Sequence, residues 1–162
     1  MSARLRAVGE ALELTLRAYP LVARARWALW FEPFPRFYSR WNAGSQAILE
    51  EAQSGAAPSP TESNDGAPDE AARRAAWNRA FAVRRAARLF PGASCLTQAL
   101  ALQRMLAQNG QACTVRFGAD RKAGASALQA HAWIEWHGRV LIGGDVTRWK
   151  PFPSRQEASG AK

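Results

Sequence analysis

The sequence predicts an α+β fold in which several helices precede a small antiparallel sheet. Apolar residues recur at three- and four-residue steps through long stretches of the N-terminal two thirds of the chain, which is the period of a helix. After residue 112, apolar and polar residues alternate instead, which is the period of a strand. Helices followed by strands in a chain of 162 residues, about the size of one compact domain, are typical of the α+β class.

Composition excludes several classes of protein. The chain is 48% hydrophobic and 22% charged, so wholesale disorder is excluded. Two Cys exclude a disulfide scaffold, and with two His they cannot build a zinc finger of ordinary spacing. The sequence carries no recognisable metal or nucleotide site, so we expect no metal and no cofactor. No apolar run approaches the roughly 20 residues that span a bilayer, and no cleavage site follows an apolar core. We therefore expect a cytoplasmic protein.

The net charge of +9 is unevenly distributed along the chain and indicates a linker. Residues 1–49 carry +4, residues 50–70 carry −6 and residues 71–162 carry +11. The acidic zone is rich in Ala, Pro, Ser and Gly and has no aromatic residue, so it cannot bury enough apolar surface to offset the entropy of ordering. The predicted organisation is an N-terminal helical segment (1–50), a flexible linker (51–68), a functional core (69–155) and a tail (156–162).

The N-terminal segment is helical, rich in Arg and rich in aromatic residues. Its first apolar positions have helical spacing: Leu5, Val8, Leu12, Leu16 and Tyr19. Pro20 is expected to break this helix or to begin a second one over 21–31, which Pro33 and Pro35 stop. The aromatic residues of 27–41 either pack on the C-terminal unit or form a docking face for a partner protein or a membrane surface.

A third helix is predicted over 69–90. Asp69 and Glu70 favour its positive N-terminal end, and Pro91-Gly92 ends it. Apolar side chains lie near one face (Trp77, Phe81 and Leu89), and arginines occupy the rest (Arg73, Arg74, Arg84, Arg85 and Arg88).

Cys95 is predicted to begin a buried helix. Ser94 is a good N-cap, and Gly110 is a natural residue just past the helix end. Unpaired N–H groups and the helix dipole stabilise a thiolate at such a position. Cys95 is therefore a candidate nucleophile.

A strand over 112–118 and a β-hairpin over 130–145 follow. Cys113 shares an apolar face with Val115 and Phe117, so we expect it in the core with no chemical role. In the hairpin, one face carries Ala132, Ile134 and Trp136, and the other carries His131, Trp133 and Glu135. Residues 119–127 read as a polar loop.

The register of the hairpin decides which residue lies opposite His131. A three-residue loop over 137–139 pairs Trp136 with Val140 and places Asp145 opposite His131, with Cβ atoms about 5 Å apart. A two-residue loop places Gly144 there instead, and a bulge at Gly143-Gly144 would change the count. Both registers remain open.

The other polar residues of the hairpin are less promising. Glu135 lies roughly 13 Å from His131 along the strand, so a surface or cross-strand contact is expected. His137 at the hairpin tip is expected to be exposed to solvent.

A Cys at a helix start, a His on a strand and an Asp on the next strand are the parts of a thiol acyl-transfer site. Cys95 would attack a carbonyl, His131 would protonate the leaving amine and Asp145 would orient His131. The N–H of Cys95 would donate to the oxyanion, with Gln98 as a candidate second donor.

Three segments carry a family resemblance: RAARLFPGASCLTQALALQRMLAQNG, TVRFGADRKAG and AHAWIEWHGRVLIGG. They resemble the transglutaminase-like family of lasso peptide biosynthesis B2 proteins, which is related to the C-terminal domain of the microcin J25-processing protein. The similarity spans about 75–152, and the Arg- and aromatic-rich N-terminal segment is also typical of the family.

The resemblance implies a transglutaminase/papain-like α+β core, with the nucleophile helix packed on the small sheet, and a cysteine peptidase that removes the leader from a ribosomally made precursor peptide. Cys95 would be the nucleophile, His131 the general acid/base and Asp145 the best match for the acid. Residues 1–68 show no strand-rich leader-binding domain. The resemblance therefore implies a separate winged-helix-like recognition protein that delivers the leader and a separate ATP-using cyclase that closes the ring.

Two alternatives are kept. One is another thiol amidase or transamidase on the same fold. The other is a non-catalytic basic module that binds nucleic acid nonspecifically through phosphate contacts, although the chain has no recognised nucleic-acid motif. A scaffold that has lost activity is disfavoured by the joint presence of Cys95 and His131.

Overall fold

A computed structural model describes residues 3–54, 68–120 and 129–152. Within these residues it has four helices and four strands, so the predicted α+β class is confirmed. The helices are α1 (Ala3–Phe31), α2 (Phe34–Ser54), α3 (Glu70–Arg88) and α4 (Cys95–Ala107). The strands are β1 (Thr114–Asp120), β2 (Gln129–Trp136), β3 (Arg139–Ile142) and β4 (Lys150–Pro151).

The four strands form one antiparallel sheet in the order β3-β2-β1-β4. β2 is therefore a central strand, and its residue His131 pairs with Gly118 of β1. The predicted inner face of β2 is confirmed, because Ala132, Ile134 and Trp136 are all buried in the main core.

Helix α4 contacts both the sheet and the other helices. It packs against β1 and β2 and against α1, α2 and α3. Leu100, Leu102 and Leu106 are completely buried, which stabilises the fold by about 2 kcal/mol for each side chain relative to exposure. This burial fixes the position of the N-terminal turn of α4, where Cys95 lies.

Helix α1 runs through Pro20 without a break, so the expected boundary at this residue is wrong. Pro20 cannot donate to the carbonyl of Leu16, which costs the helix one hydrogen bond. Ala18 and Val22, on either side of Pro20, are completely buried in the core that α1 shares with α3 and α4. Tertiary packing of this face therefore outweighs the local penalty, whereas the stop before Pro33 is as expected.

The helical spacing of the first apolar residues is confirmed, but this face of α1 is turned to solvent. Leu5, Val8, Leu12 and Leu16 are 59–65% exposed, whereas the buried face carries the small residues Ala18, Val22, Ala25 and Ala28. Small side chains allow α1 to approach its neighbours closely, and the larger residues remain outside.

Some aromatic residues of 27–41 pack inside the fold, and others remain exposed as a docking face would be. Phe37 and Trp41 of α2 are buried, and the indole Nε1 of Trp41 donates to the carbonyl of Leu100 at 3.2 Å. Trp27 and Trp30 of α1 instead remain about two-thirds exposed (66% and 70%). Packing therefore accounts for Phe37 and Trp41 of α2, whereas Trp27 and Trp30 near the end of α1 lie on an exposed surface.

Helix α3 begins and ends close to the expected residues. The carboxylate of Asp69 accepts a hydrogen bond from the N–H of Ala72 at 2.6 Å, and the helix ends at Arg88 before the Pro91-Gly92 turn. Its buried face is formed mainly by Ala76, Ala80, Ala82, Val83, Ala86 and Ala87. Phe81 and Leu89, which the pattern placed near one apolar face, are exposed.

Some of the expected boundaries differ or lie outside the described residues. Helix α2 continues to Ser54, so the first four residues of the expected linker (51–54) are helical. The rest of the expected linker (55–67), residues 121–127 of the expected polar loop and the tail (156–162) lie outside the described residues, whereas residues 119 and 120 of that expected loop belong to β1. Among the described helices, none is both long and apolar enough to cross a membrane.

Candidate active site

The N-terminal turn of α4 has the cap that the sequence predicts. Ser94 has extended backbone angles (φ −79°, ψ 171°), and its Oγ accepts a hydrogen bond from the N–H of Thr97 at 3.3 Å. The first intrahelical bond runs from the N–H of Gln98 to the carbonyl of Ser94 at 3.1 Å. The N–H groups of Cys95 and Leu96 therefore precede the hydrogen-bonding ladder and provide donors at the positive end of the helix.

The hairpin has a two-residue turn, His137-Gly138, in which both residues have positive φ (44° and 69°). Such angles at both central positions define the type I′ turn that suits a tight hairpin. Trp136 pairs with Arg139, so the pairing of Trp136 with Val140 is wrong and the two-residue loop is correct. His137 is exposed at the tip, as expected.

A bulge in β3 shifts the pairing of β2 with β3 by one residue beyond the turn. Glu135 pairs with Val140, but the next pair is Ile134 with Ile142, so Leu141 is an extra residue. β3 ends at Ile142, and Gly143 and Gly144 both have positive φ (128° and 71°). The chain therefore turns away from β2 before Asp145, and the ladder does not reach His131.

His131 is held by a backbone carbonyl and by two indole rings. Its Nε2 donates to the carbonyl oxygen of Gly143 at 2.7 Å. The imidazole stacks on Trp149, with ring centroids 4.7 Å apart, and lies beside Trp133 at 6.1 Å, both at 23° between planes. Because a carbonyl oxygen only accepts, this bond assigns the proton to Nε2 and leaves a lone pair on Nδ1.

Position 143 requires glycine because of its backbone angle and because Trp133 lies too close for a side chain. A Cβ atom built on Gly143 would lie 2.4 Å from Cβ of Trp133, and its φ of 128° is rarely adopted by other residues. Any side chain would therefore displace the carbonyl that holds His131.

Gly118 has a similar role on the opposite strand. A Cβ atom there would lie 2.9 Å from the ring of Trp133 and 2.9 Å from the carbonyl oxygen of Lys150. Gly118 thus makes room for the indole that lies beside His131. Sequence reasoning missed Gly118 and Trp149, because neither belongs to a motif with a fixed spacing, and it noted Gly143 only as a possible bulge.

Cys95 and His131 line the same cavity. Cys95, Gln98 and His131 line one open cavity of about 610 Å³, together with Gly143 and two arginines of α3, Arg84 and Arg88. In the described chain no hydrogen bond joins Sγ of Cys95 to the ring of His131. The side chain of Gln98 also has no hydrogen-bond partner among the described residues, so its amide is free to donate into the cavity.

Asp145 does not make the expected contact with His131. Its side chain is exposed, and one carboxylate oxygen accepts hydrogen bonds from the N–H and the Oγ1 of Thr147 at 3.0 and 2.7 Å. The hydroxyl of Thr147, its N–H and the charge of Arg148 hold the pKa of Asp145 below its ordinary value. The physical reason is the bulge at Leu141 together with the Gly143-Gly144 turn, which the sequence count did not include.

Glu135 and Cys113 have the structural roles that the sequence pattern predicts. Glu135 makes a cross-strand ion pair with Arg116 at 3.1 Å and accepts a hydrogen bond from Nε1 of Trp133 at 2.8 Å. Cys113 packs against the main core, and burial raises the pKa of its thiol to about 12. A thiol of this kind stays protonated at neutral pH, in line with the structural role expected for Cys113.

The cavity holds the components that thiol acyl transfer requires. Cys95, whose N–H precedes the hydrogen-bonding ladder of α4, and His131, whose ring is oriented by Gly143, both line one opening. Among the described residues, no group of three or more His, Cys, Asp or Glu side chains is arranged to hold a metal ion.

Comparison with known proteins agrees with this geometry. A model of the transglutaminase-like superfamily matches residues 39–154, which is more than half of the chain. Comparisons with curated proteins and with solved structures found no match. The superfamily usually includes cysteine-dependent enzymes. The matched region runs from α2 through α4 to the end of the sheet and contains both Cys95 and His131, so the chain belongs to the transglutaminase-like superfamily.

Proposed function

We propose that this protein is a cytoplasmic cysteine peptidase that removes the leader from a ribosomally made lasso precursor peptide. The observation that carries the proposal is that Cys95, at the first turn of α4, and His131, on β2, line the same cavity. The narrower assignment to leader removal rests on the sequence blocks around these two residues, which resemble the lasso peptide B2 proteins.

The first half of the reaction transfers the leader to the enzyme. Nδ1 of His131 first takes the proton of the Cys95 thiol. The resulting thiolate attacks the carbonyl carbon at the end of the leader, and the N–H of Cys95 donates to the resulting oxyanion, with Gln98 as a second donor. The C–N bond then breaks as Nδ1 of His131 gives its proton to the amine of the departing core peptide. The leader is left as a thioester on Sγ.

The second half restores the enzyme. Nδ1 of His131, again a base, takes a proton from water as the water oxygen attacks the thioester carbonyl. The C–S bond breaks, the leader leaves with a new carboxylate and the thiolate is regenerated. Throughout the cycle Nε2 keeps its proton and its bond to Gly143, so a backbone carbonyl occupies the orienting position in which sequence reasoning placed Asp145.

The proposal includes partners for this step. A separate winged-helix-like recognition protein would bind the leader and deliver the precursor, and a separate ATP-using cyclase would close the ring on the released core peptide. The support for both partners is the sequence resemblance alone.

Cleavage of a precursor tests the proposal directly. The full chain is incubated with a lasso precursor peptide and the recognition protein encoded near it, and the products are identified by mass spectrometry. We expect an intact leader fragment and a core peptide, and we expect neither with Cys95→Ala or His131→Ala. Continued cutting by Cys95→Ala would overturn the assignment.

The same products separate the alternatives. Hydrolysis leaves a free carboxylate on the leader, whereas a transamidase given a primary amine would leave an amide of correspondingly different mass. A basic binding module would leave the precursor uncut and would retain nucleic acid at low salt.

A further inference from the structure

We propose that the cavity beside Cys95 selects a substrate that carries a carboxylate next to the bond under attack, and that Arg84 and Arg88 are the residues that recognise it. This inference deepens the proposed function, since it names the substrate class of the same site. It predicts an acidic peptide segment near the scissile bond.

The two arginines lie on one side of the opening. They are four residues apart on α3, which places both side chains on the same face of that helix, and both line the cavity with Cys95 and His131. Arg84 and Arg88 therefore make one side of the nucleophile's own cavity positively charged.

Arg84 is held in place by its neighbours. It is half-buried, one of its terminal nitrogens donates to the carbonyl of Leu141 at 3.1 Å and its guanidinium lies over the ring of Phe81 at 5.7 Å. One anchored nitrogen leaves the other donors of the guanidinium available, and a positioned fork of donors suits a carboxylate.

Arg88 has no such anchor. Its side chain is exposed, and within the described chain it makes no hydrogen bond, ion pair or ring contact. A long cationic side chain of this kind is free to reach a bound anion without first giving up a partner.

Charge around the opening is not balanced by the protein. Among the described residues that line the cavity, none is Asp or Glu. Asp145 follows the lining residue Gly144 in sequence but does not itself line the cavity, and one of its carboxylate oxygens accepts from Thr147. A substrate carboxylate would therefore supply the counter-charge that the cavity lacks.

Two alkylating reagents of nearly equal size test this preference without any peptide. Iodoacetate carries a carboxylate and iodoacetamide is neutral, and with each one the thiolate of Cys95 forms an S–C bond while iodide leaves. The rate constant for iodoacetate at Cys95 is divided by that for iodoacetamide, both read by mass spectrometry, and this ratio is divided by the same ratio for an uncharged thiol, β-mercaptoethanol. We expect a normalised ratio of about three or more, the size of a modest exposed charge interaction.

Variants then assign the effect. Arg88→Gln is expected to lower the normalised ratio, and Arg84→Gln with Arg88→Gln to bring it close to one. Arg74→Gln is the matched control, because Arg74 is an exposed arginine of the same helix that lies about 15 Å along the axis from Arg84, beyond the screening length at physiological salt. The rate with iodoacetamide shows that each variant still presents a folded, accessible Cys95.

The outcomes are distinguishable from those of the leader-cleavage test. A ratio near one in the wild type, or a raised ratio that Arg88→Gln and the double variant leave unchanged, would overturn the anion preference even if the leader is released. A ratio that falls in both variants and not in Arg74→Gln would support the preference even if no leader is cut. Because Arg88 is exposed, the single variant keeps the test valid if the double variant fails to fold.

Discussion

The imidazole of His131 donates from Nε2 to the backbone carbonyl of Gly143 at 2.7 Å. This bond fixes both the tautomer and the direction of the ring, which are the two properties that an orienting carboxylate supplies in thiol and serine acyl transfer. The carbonyl is itself fixed by a backbone angle that favours glycine. We infer that the orientation of His131 depends on the conformation of the β3 end rather than on an acidic side chain.

Replacing Gly143 should therefore damage catalysis more than folding. In Gly143→Ala the new Cβ would lie 2.4 Å from Cβ of Trp133, so the backbone must move and the carbonyl with it. We expect kcat for leader cleavage to fall by about tenfold or more, because general acid/base catalysis is sensitive to the position of the imidazole. Gly138→Ala is the control, since Gly138 also has positive φ but has open space around it. Equal losses of activity in the two variants would count against the role of the Gly143 carbonyl.

Removing the charge of Asp145 should have little effect on the reaction. The carboxylate contacts Thr147 and not His131, so Asp145→Asn is expected to keep kcat within about threefold of the wild type, against a loss of about a hundredfold or more in His131→Gln. The measurement is the steady-state rate of leader cleavage for both variants. A loss of kcat in Asp145→Asn as large as that in His131→Gln would show that Asp145 orients His131 after all.

The thiol of Cys113, which is partly buried against the core, predicts a loss of stability in alkali. Burial raises the pKa of Cys113 from 9.0 to about 12, so above pH 9.0 the unfolded chain releases this proton while the folded protein keeps it. The free energy of unfolding then falls as pH rises from 9.0 toward about 12. Burial, and secondarily the nearby Cys113, raises the pKa of Tyr38, which acts in the same direction.

Denaturant unfolding at several pH values checks this prediction. Cys113→Ala should lose less stability than the wild type between pH 9.0 and about 12, whereas the difference between the two proteins should be constant at lower pH. Parallel curves across the alkaline range would contradict the prediction.

Trp41 is expected to hold α2 on the nucleophile helix. Its indole is buried, donates to the carbonyl of Leu100 and lies under the guanidinium of Arg104 at 4.7 Å. Trp41→Phe should lower the free energy of unfolding by about 1 kcal/mol, for the lost hydrogen bond, and Trp41→Ala by about 3–5 kcal/mol. Trp30→Ala is the control, because Trp30 is 70% exposed, and should change stability little. Equal effects at the two tryptophans would contradict the packing described for α2.

The sequence predicted those parts of the site that depend only on neighbouring residues: the start of the nucleophile helix, the position of the hairpin turn and the pattern of β2. Ser94 before Cys95 identified a helix start, because an N-cap hydroxyl satisfies a donor that the helix cannot. His137-Gly138 located the hairpin turn but left open whether its loop has two or three residues, which the positive φ of both residues in the structure decides. Alternation along β2 identified the core-facing residues Ala132, Ile134 and Trp136 and placed His131 on the other face, but that face is itself partly covered, since Trp133 is also buried.

Features that depend on packing between residues far apart in the sequence could not be predicted from it. Whether α1 continues through Pro20 is decided by the burial of Ala18 and Val22 against other helices. The extra residue at Leu141 has no signature of its own, yet it determines that the chain leaves β2 before Asp145. The stacking of Trp149 on His131 likewise joins residues that no sequence spacing relates.

Trapping the covalent intermediate tests the central claim most directly. The protein is mixed with precursor peptide and recognition protein, quenched in acid within the first turnover and examined by intact-mass and peptide mass spectrometry. We predict an adduct with the mass of the leader acyl group on Cys95 and release of the core peptide, with no adduct in Cys95→Ala. Release of the leader without any adduct on Cys95, or an adduct on another residue that persists in Cys95→Ala, would contradict the account.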